Sequence, residues 1–361
     1  MIAVFQKLII FFQPFTDEPI FSMQGLLNID TDKKTPKYIQ IVNAVTNAIK
    51  QGKLKKGDHI YSINELSDEY LLSRDTVQKA YNLLRQKGVI TAVKGKGFYI
   101  NRTDITTPFR VLLIFNKISN YKKQIYNAFV ETMGDKGVVE LKIHHFSVKL
   151  LESLIEDTVN EYDYYVLMPH FADDGDDIYS ILKKIPGDQL IILDKDLPYT
   201  YSRYAGVYQD FKNDIYNALE SGLNLLRKYN KIYLVFPKII PYPKEIITGF
   251  RSFCNGYNFP YEIIHEIDPS TPVNKKEVYI VIEETDLVTL IKSCQTKGLK
   301  IGKDVGIISY NDTPLKEILL DGITVISTDH HQMGVTAANL ILENKKEKVK
   351  NPFDLIRRKS L

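Results

Sequence analysis

Three groups of residues have the types and spacing to do chemistry. The first is Ser73-Arg74-Asp75-Thr76, followed by Lys79, at the start of an apolar-periodic run. A guanidinium, a hydroxyl and an ammonium projecting from the first turns of a helix can reach base edges in a major groove. The helix N-terminus itself offers free amides and positive dipole to a phosphate. The second group is Lys94-Gly95-Lys96-Gly97. Its two lysines supply charge, and its two glycines let the backbone approach a phosphate or a minor groove closely. The third is spread along the chain: Ser119-Asn120-Tyr121, His170-Phe171, Asp194-Lys195-Asp196 and Tyr310-Asn311-Asp312, each after a short apolar run. Hydrogen-bonding groups beside aromatic faces suit a sugar, whose hydroxyls need donors and acceptors and whose C–H face packs on rings. Any single one of these residues could equally cap the helix that follows it; the set is what points to a ligand.

Other combinations do not amount to sites. His144-His145 and His330-His331 invite a metal reading, but adjacent side chains on a strand face opposite sides, so neither pair is expected to hold one ion. Asp173-Asp174-Gly175-Asp176-Asp177 lacks the remaining ligands of a calcium loop and reads as a solvated helix start. Gly95-x-Gly97 has no third glycine, and Gly298 to Lys303 has the wrong spacing for a phosphate loop, with Asp304 in place of Ser or Thr. There is no Gly-x-Ser-x-Gly elbow. We therefore expect no metal, no cofactor and no enzymatic activity. The two cysteines, Cys254 and Cys294, exclude a disulfide scaffold and a Cys-rich zinc site, and read as buried thiols of a reducing cytoplasm.

The elements that must position these groups change character along the chain. Pro36 opens a helix with Ile39, Val42, Val45, Ala48 and Ile49 on one face, and Gly52 ends it. Ser62 stands three residues before Glu65, a capping-box spacing, and a short helix is expected over Ile63–Tyr70. Ser73 caps a third helix, Arg74–Lys87, stopped by Gly88. Two short strands, Val89–Val93 and Phe98–Asn101, flank the basic glycine turn. Helix, turn, helix and basic hairpin together describe a winged helix-turn-helix.

From Arg110 the pattern alternates strand and helix. Strands are expected at Val111–Phe115, Val138–Phe146, Tyr164–Met168, Gln189–Leu193, Lys231–Phe236, Val278–Ile282 and Val305–Ser309. The helices between them are Tyr121–Gly134, Leu150–Glu161, Ile178–Ile185, Asp214–Lys228, Pro243–Asn255 and Asp286–Gly298. Buried strands separated by helices imply parallel sheets, and a stretch this long implies two of them. Ligands of such sheets sit at the carboxyl ends of the strands, where the third group of residues lies.

Charge follows the same division. Residues 29–103 carry a net charge of +7, the leading 28 residues −1 and the remainder −3. A basic module is joined to a larger, slightly acidic one through Asn101–Phe109, a polar stretch broken by Pro108. The expected domains are an N-terminal extension over 1–28, a basic winged helix-turn-helix DNA-binding domain over 29–103 and an α/β domain of two sheets over 104–361. No segment has the roughly 20 apolar residues of a membrane span. The apolar start, Ile2–Phe15, carries an internal lysine and no cleavage site, and reads as a leading tail before an internal start at Met23 rather than a secretion signal.

The run from Pro36 to Ile100 resembles the DNA-binding domain of GntR-type bacterial regulators. Gln40-Ile41, Lys56-Gly57-Asp58, Ser62, Glu65-Leu66, Ser73-Arg74-x-Thr76-Val77, Ala80, Leu84, Gly88 and the Gly-Lys-Gly wing fall in register with that family; Tyr61 stands where it usually has proline. The resemblance implies DNA-facing roles for Ser62, Glu65, Arg74, Thr76 and Lys79, with Lys94, Lys96 and Gly97 at the wing.

The remainder, Arg110–Leu361, is similar to the LacI-type effector domain, a periplasmic-binding-protein-like fold. Residues 298–315 match its strand-end Asp-Asp region, 323–342 its crossover strand and following helix, and 355–361 its closing strand. The implied architecture is two lobes, roughly 109–205 with 327–348 and 206–326 with the tail, closing on an effector. By position, that effector would meet Tyr121, His170, Asp194, Lys195, Asp210, Asp286, Asn311 and His330. Two departures fall in the second lobe: Gly249-Phe250 lacks the usual preceding arginine, and the usual Asn-Asp reads Thr285-Asp286. The combination implies a sugar-responsive regulator, a repressor released by a monosaccharide of the L-fucose or L-arabinose type, that binds palindromic operator DNA as a homodimer. The alternative is a soluble sugar receptor with a degenerate head, and the intact Ser73-Arg74-x-Thr76 argues against it.

Overall fold

The computed structural model describes residues 35–104, 108–159, 161–172, 178–197 and 204–361. The leading extension (1–28) and the acidic run 173–177 lie outside them. The chain forms two compact units that divide between residues 106 and 107.

In the first unit, α1 (Lys37–Lys50), β1 (His59–Ile60), α2 (Ile63–Glu69), α3 (Arg74–Gln86), β2 (Ile90–Val93) and β3 (Gly97–Ile100) form a winged helix-turn-helix. The helical periodicity of α1 and α3 has its cause in one core: Ile41, Val45, Leu66, Val77, Ala80, Tyr81 and Leu84 are fully buried together with Ile60 and Ile100. The wing is a three-stranded antiparallel sheet in the order β1-β3-β2. The sequence reading missed β1, which is only two residues long and pairs His59 with Tyr99.

The second unit has two lobes. The first lobe contains β4 (Phe109–Phe115), α4 (Asn120–Met133), β5 (Gly137–Ile143), α5 (Val148–Thr158), β6 (Tyr164–Leu167), α6 (Ile178–Leu182), β7 (Leu190–Asp194) and β8 (Ala205–Tyr208). The second contains α7 (Phe211–Ser221), α8 (Leu223–Leu226), β9 (Lys231–Val235), α9 (Glu245–Gly256), β10 (Tyr261–Ile264), β11 (Glu277–Val281), α10 (Glu284–Thr296), β12 (Val305–Tyr310), α11 (Pro314–Ile318) and β13 (Thr324–Thr328). The chain then returns to the first lobe for α12 (His330–Leu342) and β14 (Lys348–Lys350), and crosses again to β15 (Phe353–Ile356).

The first sheet runs β14-β8-β7-β6-β4-β5, parallel throughout; the second runs β10-β9-β11-β12-β13-β15, with only β15 antiparallel. Each sheet is covered on both faces, and this is why its strands read as unbroken apolar runs rather than alternating ones. In β4, Val111, Leu113 and Phe115 join one core with α4 and α12, while Leu112 and Ile114 join the other with α5 and α6.

Several boundaries differ from the sequence reading. β8 pairs with β7 and β14 in the first sheet, so the first crossing lies after Tyr208, not at 205/206. Ser327 and Thr328 pair with β15 and belong to the second lobe. The expected helix Asp214–Lys228 is broken at Gly222 into α7 and α8. The strand expected to reach Phe146 ends at Ile143, because His145 and Phe146 take positive φ of 48° and 61°. His144 and His145 therefore sit in a turn, and His330 and His331 open a helix, so the strand argument applied to both pairs does not hold. Among the described residues there is no group of three or more His, Cys, Asp or Glu side chains placed to hold a metal, and no helix long and apolar enough to cross a membrane.

Candidate functional site

In the first unit, the N-termini of α2 and α3 meet the base of the wing. Ser62 caps α2 in a full capping box: its hydroxyl accepts from the Glu65 amide at 3.2 Å, and its own amide donates to Glu65 Oε2 at 2.7 Å. The Ser62 amide holds the Glu65 carboxyl below the usual carboxylate range. Glu65 is thus committed to its own helix, and its negative charge sets the cap. Ser73 caps α3 by accepting from the Thr76 amide at 3.2 Å, and the Ser73 and Thr76 hydroxyls lie 2.8 Å apart. Arg74 is exposed. It lines a shallow groove together with Ser62, Asn64, Gln78 and Phe98. Lys79 is turned to the flank, with its ammonium 4.4 Å from the centre of the Tyr38 ring. The exposed Lys94 and Lys96 flank Gly95 at the tip of the wing. Gly97 has φ +102°, and a Cβ there would lie 2.6 Å from His59 Nε2.

Asn64 and Gln78 escaped the sequence reading. Gln78 is one helical turn beyond Arg74, so i, i+4 spacing on α3 was the available signal. An amide side chain there is suited to pairing with an adenine edge.

In the second unit, the carboxyl ends of β4, β6, β7 and β12 converge on a cleft between the lobes. Five of the expected residues line it: Tyr121, His170, Asp194, Asn311 and His330. Asp194 is the centre of the first-lobe wall. It accepts from His170 Nε2 at 2.7 Å and from the Gln209 amide nitrogen. These bonds, with Lys122 nearby, hold its carboxyl below the ordinary range despite burial. Burial outweighs the aspartate's pull on His170 and pushes the imidazole down, so the pair is a neutral histidine donating to an ionised carboxylate. Lys122 is buried, donates to Asn116 Oδ1, and has its pKa lowered to about 8 by desolvation. His330 is lowered to about 4 by the same cause and lies against the Tyr121 ring, 4.8 Å between centroids.

The second lobe supplies Tyr242, Tyr310 and Asn311. The Tyr242 hydroxyl donates to Glu283 Oε1 at 2.7 Å, and Lys117 of the first lobe lies 4.0 Å from that oxygen. Asn311 takes positive φ (60°), and its carbonyl and that of Tyr310 accept from the buried Lys316 ammonium at 2.8 and 2.9 Å. Phe211 and Phe146 add apolar faces. As they stand, the walls leave room for only a few water-sized groups, so entry of a larger ligand requires the lobes to part.

Three expected contacts do not line the cleft. Asp210 caps α7, accepting from the Asn213 amide at 3.3 Å and from its side chain at 2.7 Å. Asp286 is buried behind the wall and accepts from the Ile267 amide at 2.8 Å. Lys195 follows Asp194 at the strand end but stands outside the lining. Conversely, Asn116, Lys122, Gln209 and Tyr242 line it and were not anticipated. Asn116 and Gln209 directly follow β4 and β8, so the strand-end rule could have found Asn116; β8 itself went unseen, and Gln209 with it.

These geometries can be set beside known proteins. Residues 37–100 match the family described as bacterial regulatory proteins, gntR family, and residues 226–361 the periplasmic binding protein-like domain. The HTH-type transcriptional repressor YtrA of Bacillus subtilis is 30% identical over 121 residues, 34% of this chain and 88% of that protein. The chain belongs to the GntR family of bacterial regulatory proteins. Its body is LacI-like: the lac repressor dimer bound to operator and an anti-inducer aligns over 71% of this chain and 95% of that one, with a TM-score of 0.57 at 13% identity. The arabinose metabolism transcriptional repressor of Geobacillus stearothermophilus is 20% identical and spans 86% of this chain and 92% of its own length.

Proposed function

We propose that the protein is a sugar-responsive transcriptional repressor that binds a palindromic operator as a homodimer through paired winged heads and is released when a neutral monosaccharide closes the cleft. The observation that carries the reading is one chain joining a GntR head with Arg74 exposed at the start of α3 to a LacI-like body whose cleft is lined by an ionised, hydrogen-bonded Asp194 between aromatic rings. The charges at the cleft come in opposite signs: Asp194 with the buried Lys122 nearby, and the half-buried Lys117 of the lining 4.0 Å from the half-buried Glu283 at its edge. Such a wall has no surplus charge for an ionic ligand and suits uncharged hydroxyls. The arabinose repressor's likeness over most of the chain supports a sugar of the L-arabinose or L-fucose type, and the lac repressor's shared fold supports a dimer on DNA. A cytoplasmic location and the absence of catalysis follow from the same reading.

The test is a thermal-shift screen of the full chain against L-arabinose, L-fucose, D-ribose and trehalose, followed by operator gel shifts with the hit. Stabilisation by one neutral sugar and loss of the DNA complex at the same concentrations are expected. In the same assay, Arg74→Ala should cost ~1–3 kcal/mol of operator affinity and relax sequence preference. Lys94→Ala should weaken all sequences alike and lower the salt slope by about one. DNA binding untouched by Arg74→Ala would leave the chain a sugar receptor with an idle head.

A further inference from the structure

Two buried polar atoms of the cleft, Tyr310 Oη and Gln209 Oε1, have no hydrogen-bond partner among the described residues. Tyr310 is 3% exposed, lies on the second-lobe wall, and its hydroxyl makes no hydrogen bond. Gln209 is 7% exposed, lies at the end of β8 in the first lobe, and its Oε1 makes none either. Burying a polar atom without a partner costs ~1–3 kcal/mol, so such atoms in a binding cleft mark what is to be bound there. The orientation of Gln209 is fixed by chemistry. Asp194 can only accept, so the amide nitrogen must face it, and the oxygen is left pointing away as an acceptor. Tyr310 has an O–H to donate, and burial beside Asp194 and Asp214 keeps it protonated. Tyr310 and Gln209 line the same narrow cleft from opposite lobes, with Asp194 on its wall as well.

We propose that Tyr310 and Gln209 form a single hydroxyl-reading subsite: one ligand hydroxyl accepts from Tyr310 and donates to Gln209 Oε1, and so ties the second lobe to the first. This deepens the sugar reading given above and rests on it. Only a group that donates and accepts at once satisfies both atoms. A carboxylate or phosphate oxygen would leave Gln209 unpaired, an ammonium would leave Tyr310 unpaired, and a deoxy position would leave both. Because the two atoms belong to different lobes, the bond they share through the ligand exists only when the lobes are together. The subsite therefore selects the ligand and rewards closure by the same contact.

The experiment uses the full chain, the sugar panel above and the monodeoxy analogues of whichever sugar binds. Tyr310→Phe removes a buried unpaired hydroxyl, so the ligand-free protein should melt at the same temperature or higher, while sugar affinity falls at least tenfold. Gln209→Met should likewise lose affinity. One monodeoxy analogue should bind wild type as weakly as Tyr310→Phe binds the parent sugar, and should lose little more on the variant. A sugar that binds wild type and Tyr310→Phe equally overturns the subsite and leaves the sugar-responsive reading standing. A panel in which no sugar binds wild type overturns both.

Discussion

A residue forced into the left-handed region declares itself by its cost. Leu71, in the turn between α2 and α3, has φ 50° and is 92% exposed. Its side chain touches little, so it gains almost nothing from burial, while the left-handed backbone costs an L-residue ~1–2 kcal/mol. Asparagine tolerates that conformation and adds no glycine entropy to the unfolded chain. Leu71→Asn should raise the stability of the head by a few tenths to ~1 kcal/mol, read from the denaturation midpoint of its transition in the full chain. A midpoint that falls would mean that the leucine packs on something in solution. The same residue-scale logic explains which contacts the sequence could show. Ser73, Arg74 and Asp194 follow punctuation visible in the string: a cap, a helix start, a strand end. Tyr310 likewise stands at a strand end, whereas Lys122 is a site residue only because the fold buries it in the cleft wall. Asp210 and Asp286 have the right type, but Asp210 accepts from the backbone and side-chain amides of Asn213 and Asp286 from the Ile267 amide.

Elements were legible where periodicity was long, and illegible where pairing made them. The amphipathic α1, α3 and α9 and the predominantly apolar β4, β7 and β12 emerge from the residue pattern within a few positions. β1, β8, β10 and β14 are two to four residues each, and only their neighbours in the sheet define them. Close packing between elements was likewise invisible. α12 returns from the second lobe to lie on α4, and Gly334 sits where the two helices come nearest. A Cβ there would lie 2.4 Å from the Ile125 carbonyl oxygen and 3.0 Å from Ala128 Cβ. Alanine is the better helix former by ~1 kcal/mol. The backbone it would strike cannot move aside without shifting α4, so overpacking at ~1–3 kcal/mol or more should win. Gly334→Ala is expected to lower the midpoint of the effector unit in denaturant; an unchanged or raised midpoint would show that the helices have slack at this crossing.

At the scale of the whole molecule, the buried charges make folding sensitive to acid. His144 and His330 are both lowered to about 4 by desolvation. His144 donates from Nε2 to the Met168 carbonyl at 3.0 Å, and its Nδ1 has no acceptor if protonated. Between pH 6.5 and 4 the unfolded chain binds protons at these positions that the folded chain refuses, so stability falls with pH by up to ~3 kcal/mol for each. Asp194, held low, adds to the loss below the ordinary carboxylate range. Asp214 and Asp286 are raised by burial and oppose it, since they bind protons more readily folded than unfolded. Lys122 and Lys316, both lowered to about 8, act at the other end: stability should rise as pH climbs from 8 toward 10.5. Denaturant midpoints of the effector transition should therefore drop from pH 7.5 to pH 5, and a flat profile would mean the histidines are solvated.

The lobes communicate through three chain crossings, and Asn351 joins all of them. Its amide donates to the Tyr208 carbonyl at 2.8 Å, and its side-chain nitrogen donates to Thr328 Oγ1 at 2.7 Å and to the Asp329 carbonyl at 2.8 Å. Beside it, Lys350 of the first lobe pairs with the buried Asp214 of the second at 2.8 Å. A residue that ties every crossing, one through its backbone and another through its side chain, determines how stiffly one lobe follows the other, and so how much of the sugar's preference for the closed state reaches the rest of the protein. That preference is a coupling free energy, and it is reciprocal: if sugar weakens operator binding by some factor, operator must weaken sugar binding by the same factor. Asn351→Ala keeps the backbone bond to Tyr208 and removes the two side-chain bonds. Packed networks of this kind carry ~0.5–2 kcal/mol of coupling, so the factor should shrink about 2- to 30-fold. It should shrink equally whether operator affinity is titrated with sugar or sugar affinity is titrated with operator. A factor that persists in the variant would place the signal elsewhere than the crossings, and one that changes from only one side would show that the variant has altered a binding site rather than the link between them.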